Sequence, residues 1–454
     1  LSTLFDLGEG ECGLITKVRG RGAFRKRITE MGFVRGKEVT VIKSAPLQDP
    51  VEYKIMGYNV SLRQGEARLI EVIPLNGDSS RSSAGDPLPE YKGTFEESVP
   101  RDEPSERGKS IDIALVGNPN CGKTTLFNFA SGSHERVGNF GGVTVDSKTA
   151  RFRQNGYTFN ITDLPGTYSL SAYSPEELFV RRHITEGIPD IVVNIIDSSN
   201  IERNLYLTTQ LIDMDIRVVI ALNMFDEFEK KGHTLDYNSL GKLLGIPIIP
   251  TVSSRGEGIT ELFDRIIRVF EDRDPVVRHV HINYGDEIER SIRRIQEFIR
   301  KDVALSDRIS TRYASIKLLE KDEDTRASLA HSDYFKAIIS TAEKETRRLE
   351  ESFMEDSATL ITDARYGFIS GALKETLDTG QSAITGKTLS EKIDSILTNR
   401  VLGFPAFIFF LWVMFQSTFS LGNYPKHWID LDRGSCRPGF ACRAGQGPLL
   451  RRNY

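Results

Sequence analysis

The first 75 residues alternate apolar and polar positions in short runs, as in Glu38-Val39-Thr40-Val41-Ile42 and Ala67-Arg68-Leu69-Ile70-Glu71-Val72-Ile73, broken by glycines and by Asp49-Pro50. A period of two between such breaks predicts half-buried strands, here a small β-barrel over 1–75. The alternation then stops. Residues 76–108 are rich in Ser, Pro, Gly, Asp and Glu, with too little apolar surface to offset the entropy of ordering, and predict a disordered linker. Over 109–275, Ile/Val-rich runs recur between helical stretches: Ile111 to Val116, Asp190 to Ile196, Arg217 to Leu222 and Ile246 to Val252. Such runs predict an α/β domain whose mainly parallel sheet is covered by helices on both faces. Asn155-Gly156 suits the positive φ of a two-residue hairpin turn and predicts one antiparallel edge strand.

Beyond this the period changes again. Residues 276–396 are charged and helical in pattern, with Ile288, Ile292, Ile295 and Ile299 spaced to share one helix face. Between Arg400 and Lys426 no residue is charged. At about 1.5 Å per residue the stretch 401–421 is long enough for a hydrocarbon core of about 30 Å, so one transmembrane helix is expected there. Residues 431–454 show neither helical nor strand period. The expected architecture is therefore multidomain: barrel, linker, α/β domain, helical domain and membrane helix.

Composition narrows the function. The net charge of −4, with 59 basic against 63 acidic residues, gives no general pull toward nucleic acid. Arg19, Arg21, Arg25, Lys26 and Arg27 cluster, and read as a solvated face. Cys12, Cys121, Cys436 and Cys442 form no CxxC pair, so neither a zinc site nor a disulfide framework is indicated. His279 and His281 lack a third ligand nearby and read as surface residues.

The chemistry lies in the α/β region. Gly117-Asn118-Pro119-Asn120-Cys121-Gly122-Lys123-Thr124, followed by Thr125, fits GxxxxGK[ST] between a strand and a helix. In such a P-loop the backbone N–H groups cradle phosphates, Lys123 neutralises the β and γ phosphates, and Thr124 binds magnesium. Asp163-Leu164-Pro165-Gly166 follows the hairpin strand; Asp163 would hold magnesium through water and the Gly166 N–H would meet the γ phosphate. In Gly141-Gly142-Val143-Thr144-Val145 the hydroxyl of Thr144 could reach magnesium only when the γ phosphate is present. Lys123, Thr144 and Gly166 are the catalytic candidates.

The base would be read by Asn223-Met224-Phe225-Asp226. A carboxylate at Asp226 accepts from N1–H and N2–H₂ of guanine, whereas adenine would leave it buried and unpaired. Met224 stands where a lysine is commoner. Val252-Ser253-Ser254-Arg255-Gly256 places Ser253 and a backbone N–H of Ser254 near guanine O6. These motifs occur in the order of a GTPase, each after an expected strand, with GTP and GDP as ligands. Thr167 follows Gly166 where many small GTPases have a water-orienting Gln, so hydrolysis should be slow, about 10⁻⁴ to 10⁻² s⁻¹.

At this point the chain resembles the FeoB family. The likeness rests on Ser174-Pro175-Glu176-Glu177, the NMxD variant, Ala364-Arg365-Tyr366-Gly367-Phe368-Ile369, and the stretch from Leu402-Gly403-Phe404-Pro405 to Tyr424-Pro425. Residues 1–75 resemble FeoA, an SH3-like barrel, through Met31-Gly32-Phe33, Asp49-Pro50-Val51-Glu52-Tyr53 and Ser61-Leu62-Arg63-Gln64-Gly65-Glu66-Ala67. The resemblance implies a GTP-regulated ferrous iron permease of the bacterial inner membrane, its GTPase and barrel cytoplasmic. It also implies a potassium ion held with the help of Asn120. A membrane-tethered GTPase that binds a partner in its GTP state is the alternative, and a second copy of the chain stays open as a partner. The family carries further membrane helices for the transport path, whereas this chain shows one apolar stretch. The likeness runs through Trp428-Ile429-Asp430 and stops at Leu431. Arg433, Arg437, Arg443, Arg451 and Arg452 beyond it oppose the positive-inside tendency, so 431–454 is expected to be out of frame.

Overall fold

The computed structural model describes residues 2–20, 23–45, 49–75, 94–96, 108–132, 135–139, 146–171, 174–306, 309–378 and 403–434. Leu1–Ala383 form one compact unit and Ile384–Tyr454 a second.

Within the first unit, β1 (Ser2–Thr3), β2 (Cys12–Val18), β3 (Glu38–Ser44), β4 (Val51–Ile55), β5 (Tyr58–Leu62) and β6 (Ile70–Leu75) form an antiparallel sheet in the order β1-β6-β2-β3-β4-β5. Register shifts between Ile15 and Lys17 and between Val41 and Lys43 bend it. Val39, Val41, Tyr53, Ile55, Val60 and Leu62 then enclose one core with Ile28 of α1 (Ala23–Glu30) and Ala67 of α2 (Gln64–Ala67). The basic cluster is not uniformly solvated, because Arg25 is largely buried and pairs with Glu355 of the helical region, while Arg27 pairs with Glu66.

The expected linker is not wholly without structure. Its residues Thr94–Glu96 form β7, antiparallel to β16 (Val280–Ile282), with Phe95 opposite His281. That pairing satisfies backbone groups which composition alone gave no reason to order. His281 is buried and His279 pairs with Asp215 at 2.8 Å, so the expectation of two surface histidines fails for His281.

The α/β region is a seven-stranded sheet in the order β15-β13-β12-β8-β11-β10-β9. The strands are β8 (Ser110–Gly117), β9 (Glu135–Asn139), β10 (Asp146–Gln154), β11 (Tyr157–Asp163), β12 (Ile191–Asp197), β13 (Val218–Asn223) and β15 (Ile248–Pro250). Five are parallel, and β10 turns into β11 through Asn155 (φ 50°) and Gly156 (φ 81°), the positive pair the turn requires. β9 adds to β10 antiparallel, so the sheet ends in two antiparallel strands where one was expected.

Alternation along β8 sorts two cores. Ile111, Ile113 and Leu115 pack with Phe127 of α3 (Lys123–Ser131) and Phe263 of α8 (Ile259–Phe270). Ala114 and Val116 face the other core, with Val180 of α4 (Pro175–Gly187), Leu205 of α5 (Ile201–Asp213) and residues of the helical region. The remaining helices of the sheet region are α6 (Phe225–Lys230) and α7 (Tyr237–Leu244). The helical region comprises α9 (Asp286–Ile299), α10 (Val303–Ser306), α11 (Thr311–Leu319), α12 (Glu323–Ser328), α13 (Phe335–Phe353) and α14 (Ser357–Thr376). Ile288, Ile292, Ile295 and Ile299 are all buried, as their spacing predicts. They share a core with the sheet's helices and with Val34 of the amino-terminal region, so α9 to α14 pack within the first unit. β14 (Thr234–Leu235) and β17 (Leu377–Asp378) pair across the same boundary.

The second unit contains a helix, Gly403–Gly434, along which Phe404, Phe407, Ile408, Phe409, Phe410, Trp412, Met414, Phe415 and Phe419 are exposed. Among the described residues no helix is long and apolar enough to cross a membrane, so the expected span over 401–421 is not found as such. Gln416, Ser417, Thr418 and Ser420 interrupt its apolar run. The helix also continues past Leu431 to Gly434, where no period was expected.

Candidate functional site

The site forms where the parallel strands end. β8 stops at Gly117, and the chain turns through Asn118-Pro119-Asn120-Cys121-Gly122 into α3, whose first residue is Lys123. Two positions demand this sequence. Asn120 adopts φ 65°, which asparagine tolerates. Gly122 adopts φ 86°, and a β-carbon there would collide with the side-chain amide of Asn223.

Lys123 and Asp163, both buried, face each other: Nζ donates to Asp163 Oδ1 at 2.9 Å. Thr124 Oγ1 donates to Asp163 Oδ2 at 3.0 Å. P-loop and DxxG residues 39 or 40 positions apart are therefore joined by direct contact. Two hard oxygen donors this close suit a small divalent cation, which takes oxygen ligands and keeps water in its shell. Gly166 sits against the P-loop, since a β-carbon there would lie 3.0 Å from Pro119 Cα, and the Thr167 N–H donates to Gly117 O at 3.1 Å. Asn118 is buried, Thr125 is exposed, and burial pushes the Cys121 thiol up to about 11, leaving it neutral. Thr144 lies outside the described residues.

The base end is built differently. Met224 adopts φ 58° and caps α6, placing Asp226 in the first turn. Asp226 Oδ2 accepts from Lys230 Nζ at 2.9 Å and from Arg255 at 3.1 Å, and these partners, Lys230 first, hold its carboxyl below the usual range. Ser254 is exposed beside it. Arg255 belongs to a quoted motif, yet its role on Asp226 carried no signal in the sequence.

Asn223, expected among the nucleotide ligands, ties three loops together. Its Nδ2 donates to Cys121 O at 2.8 Å, and its Oδ1 accepts from the Ser253 N–H at 2.9 Å and the Ser253 hydroxyl at 2.8 Å. Ser253 is accordingly buried, with its N–H and hydroxyl on this tether.

A second constellation adjoins the DxxG turn. The Thr167 hydroxyl is turned inward onto Ser169 O at 2.5 Å. Ser169 and Ser171 contact Glu177 of α4 at 3.2 and 2.9 Å. They also reach Glu30 of α1, 139 and 141 residues away, at 3.2 and 3.4 Å. Nothing local in the sequence announces that contact.

Comparison with known proteins follows these divisions. Residues 111–266 match ferrous iron transport protein B, 284–378 the FeoB cytosolic helical domain and 2–74 the FeoA domain. A Porphyromonas gingivalis Fe(2+) transport protein A/Fe(2+) transporter FeoB fusion protein is 47% identical over 451 residues, covering 95% of this chain and 53% of that protein. The Fe(2+) transporter FeoB of Escherichia coli K12 is 35% identical over 332 residues, 71% of this chain and 40% of its own length. The chain thus spans about half the length, or less, of these relatives. Among solved structures, a GDP-bound mutant of the S. thermophilus FeoB G-domain aligns at 36% identity and TM-score 0.54, covering 59% of this chain and 100% of that one. The cytosolic domain of T. maritima FeoB in a GDP form aligns at 31% identity and TM-score 0.51, with the same coverage. The chain belongs to the FeoB family of ferrous iron transport proteins, with a FeoA domain preceding its GTPase and cytosolic helical domains.

Proposed function

We propose that this chain binds and hydrolyses GTP as the cytosolic portion of a ferrous iron transporter of the bacterial inner membrane, its switch state gating iron uptake. The observation that carries the reading is the Lys123–Asp163–Thr124 cluster at the end of the parallel strands, with Asp226 at the end of a neighbouring one. The P-loop N–H groups and Lys123 bind and orient the phosphates. Thr124 and Asp163, joined by Thr144, would hold magnesium, which supplies charge neutralisation between the phosphates. The Gly166 N–H faces the γ phosphate. Asp226 exchanges Arg255 and Lys230 for the two guanine donors, which sets the choice of base.

Hydrolysis is slow on this reading, because Thr167 is buried and its hydroxyl is committed to Ser169; the bracket for such sites is about 10⁻⁴ to 10⁻² s⁻¹. Potassium held by Asn120 would stand where other GTPases insert an arginine. The exposed aromatic run from Phe404 to Phe419 supports laying that helix against a membrane surface.

Titration with fluorescent GTP, ATP and xanthosine nucleotides tests the reading. GTP should bind well above ATP, and Asp226→Asn should move the preference to xanthosine; equal affinity for GTP and ATP would overturn it. Hydrolysis rates in potassium against sodium chloride, with Asn120→Ala as control, decide the cation: identical rates in both salts reject it.

A further inference from the structure

We infer that Glu30, in the amino-terminal FeoA domain, is a positioning residue for the loop after the DxxG turn, so that this domain governs the nucleotide cycle of its own chain. The inference rests on the GTPase reading above and concerns residues outside the phosphate and base contacts.

Residues 167–171 directly follow Gly166, which must meet the γ phosphate, and they are clasped by the FeoA domain, α4 and α5. The FeoA domain supplies Glu30 Oε2 to the Ser169 and Ser171 hydroxyls, and Tyr58 to one face of the Arg203 guanidinium at 3.8 Å. Tyr168 covers the other face of Arg203 at 3.9 Å. Helix α5 supplies Gln210, whose Oε1 accepts from the Leu170 N–H at 2.5 Å. Helix α14 supplies Tyr366, whose hydroxyl donates to Glu30 O at 2.8 Å and so fixes the end of α1. The clasped loop is in turn tied to the P-loop through Thr167 N–H and Gly117 O. Motion of Gly166 toward a γ phosphate, or of the P-loop during GDP release, has to work against these contacts.

The hydrogen inventory of the clasp is informative. Ser169 and Ser171 make five oxygen–oxygen contacts, two with Glu30, two with Glu177 and one with each other. A hydroxyl carries one proton, so two hydroxyls serve two of these contacts while both carboxylates only accept. A proton on one carboxyl supplies a third. Glu30 is the carboxyl suited to carry it: it is buried, its Oε1 has no hydrogen-bond partner among the described residues, and burial pushes it up to about 7. The groups facing it are Lys26 on its own helix, Glu177 on α4, Tyr206 on α5, Lys317 and Glu320 on α11, and Tyr366 on α14. Below pH 7 the clasp is closed by the shared proton. Above it, two carboxylates oppose each other across the serines and the loop is let go.

The test is displacement of fluorescent mant-GDP from the full chain between pH 6 and 8. The wild type should release GDP about fivefold faster at pH 8, roughly the factor that one net hydrogen bond confers. Glu30→Gln, which cannot ionise, should stay slow at both pH values, and Glu30→Ala should be fast at both. Asp363, a half-buried carboxyl also raised to about 7, is the control: Asp363→Asn should keep the wild-type profile. A Glu30→Gln chain that follows the wild-type pH profile overturns the inference, as does a folded Glu30→Ala chain that matches the wild type at pH 6. If Glu30→Ala does not fold, Glu30→Gln decides alone. A wild type that binds no mant-GDP would remove the nucleotide reading and this inference together; a binding wild type with indifferent Glu30 variants would remove only the inference.

Discussion

The sheet of this protein is gripped by two neighbours, the helical region and the FeoA domain, and the two joints differ in how buried charge is treated. At the helical joint each charge meets its opposite. Arg365, 1% exposed, donates to Glu320 at 2.6 Å, to Asp213 of α5 at 3.1 Å and to the Tyr284 hydroxyl at 3.1 Å, while Tyr284 donates to Asp213 at 2.5 Å. Lys317 donates to the other Glu320 oxygen at 2.8 Å. Arg181 and Asp322 make a bidentate pair at 3.0 Å, and Arg312 and Glu289 another at 2.7 and 2.8 Å. At the FeoA joint, by contrast, Glu30 meets two hydroxyls and another carboxyl. The paired charges of this joint, Lys37 with Glu202 and Ser370 and Arg25 with Glu355, are only partly buried. The difference separates a joint locked at physiological pH from one that the loss of a proton can loosen. Adjacent residues of α14 serve the two: Arg365 closes the first and Tyr366 reaches the second.

The contrast can be broken hardest at Arg365. Arg365→Met leaves Asp213 and Glu320 buried without their guanidinium, and should cost about 3–5 kcal/mol, read as a shift in the urea midpoint of the first unit. A loss under about 1 kcal/mol would mean that the helical joint is held by apolar packing alone.

Acidity sharpens the contrast next. The Glu30 carboxyl is raised from 4.5 to about 7, so its contribution is complete below pH 4.5 and is lost as pH rises through about 7, up to about 3 kcal/mol in all. Burial pushes Glu320 up, but Lys317 and Arg365 outweigh it and hold that carboxyl well below its ordinary 4.5. Its contribution is present above 4.5 and lost only as pH falls through the depressed value. Hydrogen exchange from pH 5.5 to 8, corrected for intrinsic rates, should therefore show protection falling at Leu170 and along α1 while α11 holds steady. Parallel behaviour of the two regions would erase the distinction.

The smallest effect belongs to the ring sandwich. Arg203→Ala removes the cation between Tyr58 and Tyr168, worth about 0.5–2 kcal/mol, and should raise the exchange of α1 amides without touching α11. Arg203→Lys should restore part of it.

What the sequence disclosed divides along the same line. The P-loop, DxxG and NMxD motifs, the Asn155-Gly156 turn and the isoleucine face of α9 are local, written within a few residues of one another, and the structure places them at strand ends, at a positive-φ turn and in the core. Contacts between modules leave no such trace. Glu30 reads as one more charged residue beside Arg25, Lys26 and Arg27, because nothing near it in sequence shows that Ser169 will cover it. Thr94–Glu96 reads as linker, since its partner strand lies beyond 279. Asn223 shows a subtler limit: its motif was legible, but only the fold reveals that its amide joins Cys121 and Ser253.

That amide has a consequence for how the protein matures. Asn223 reaches Cys121, 102 residues earlier, and Ser253, 30 residues later, so both hydrogen bonds are made only when β8, β13 and the turn after β15 are all in place. Closing such long loops comes at an entropic cost that only the assembled sheet repays. A nascent or partly misfolded chain would therefore present the motifs without the pocket. Guanine nucleotide, by stabilising only the chain in which all three turns have met, would act as an assay of completed folding before it acted as a signal.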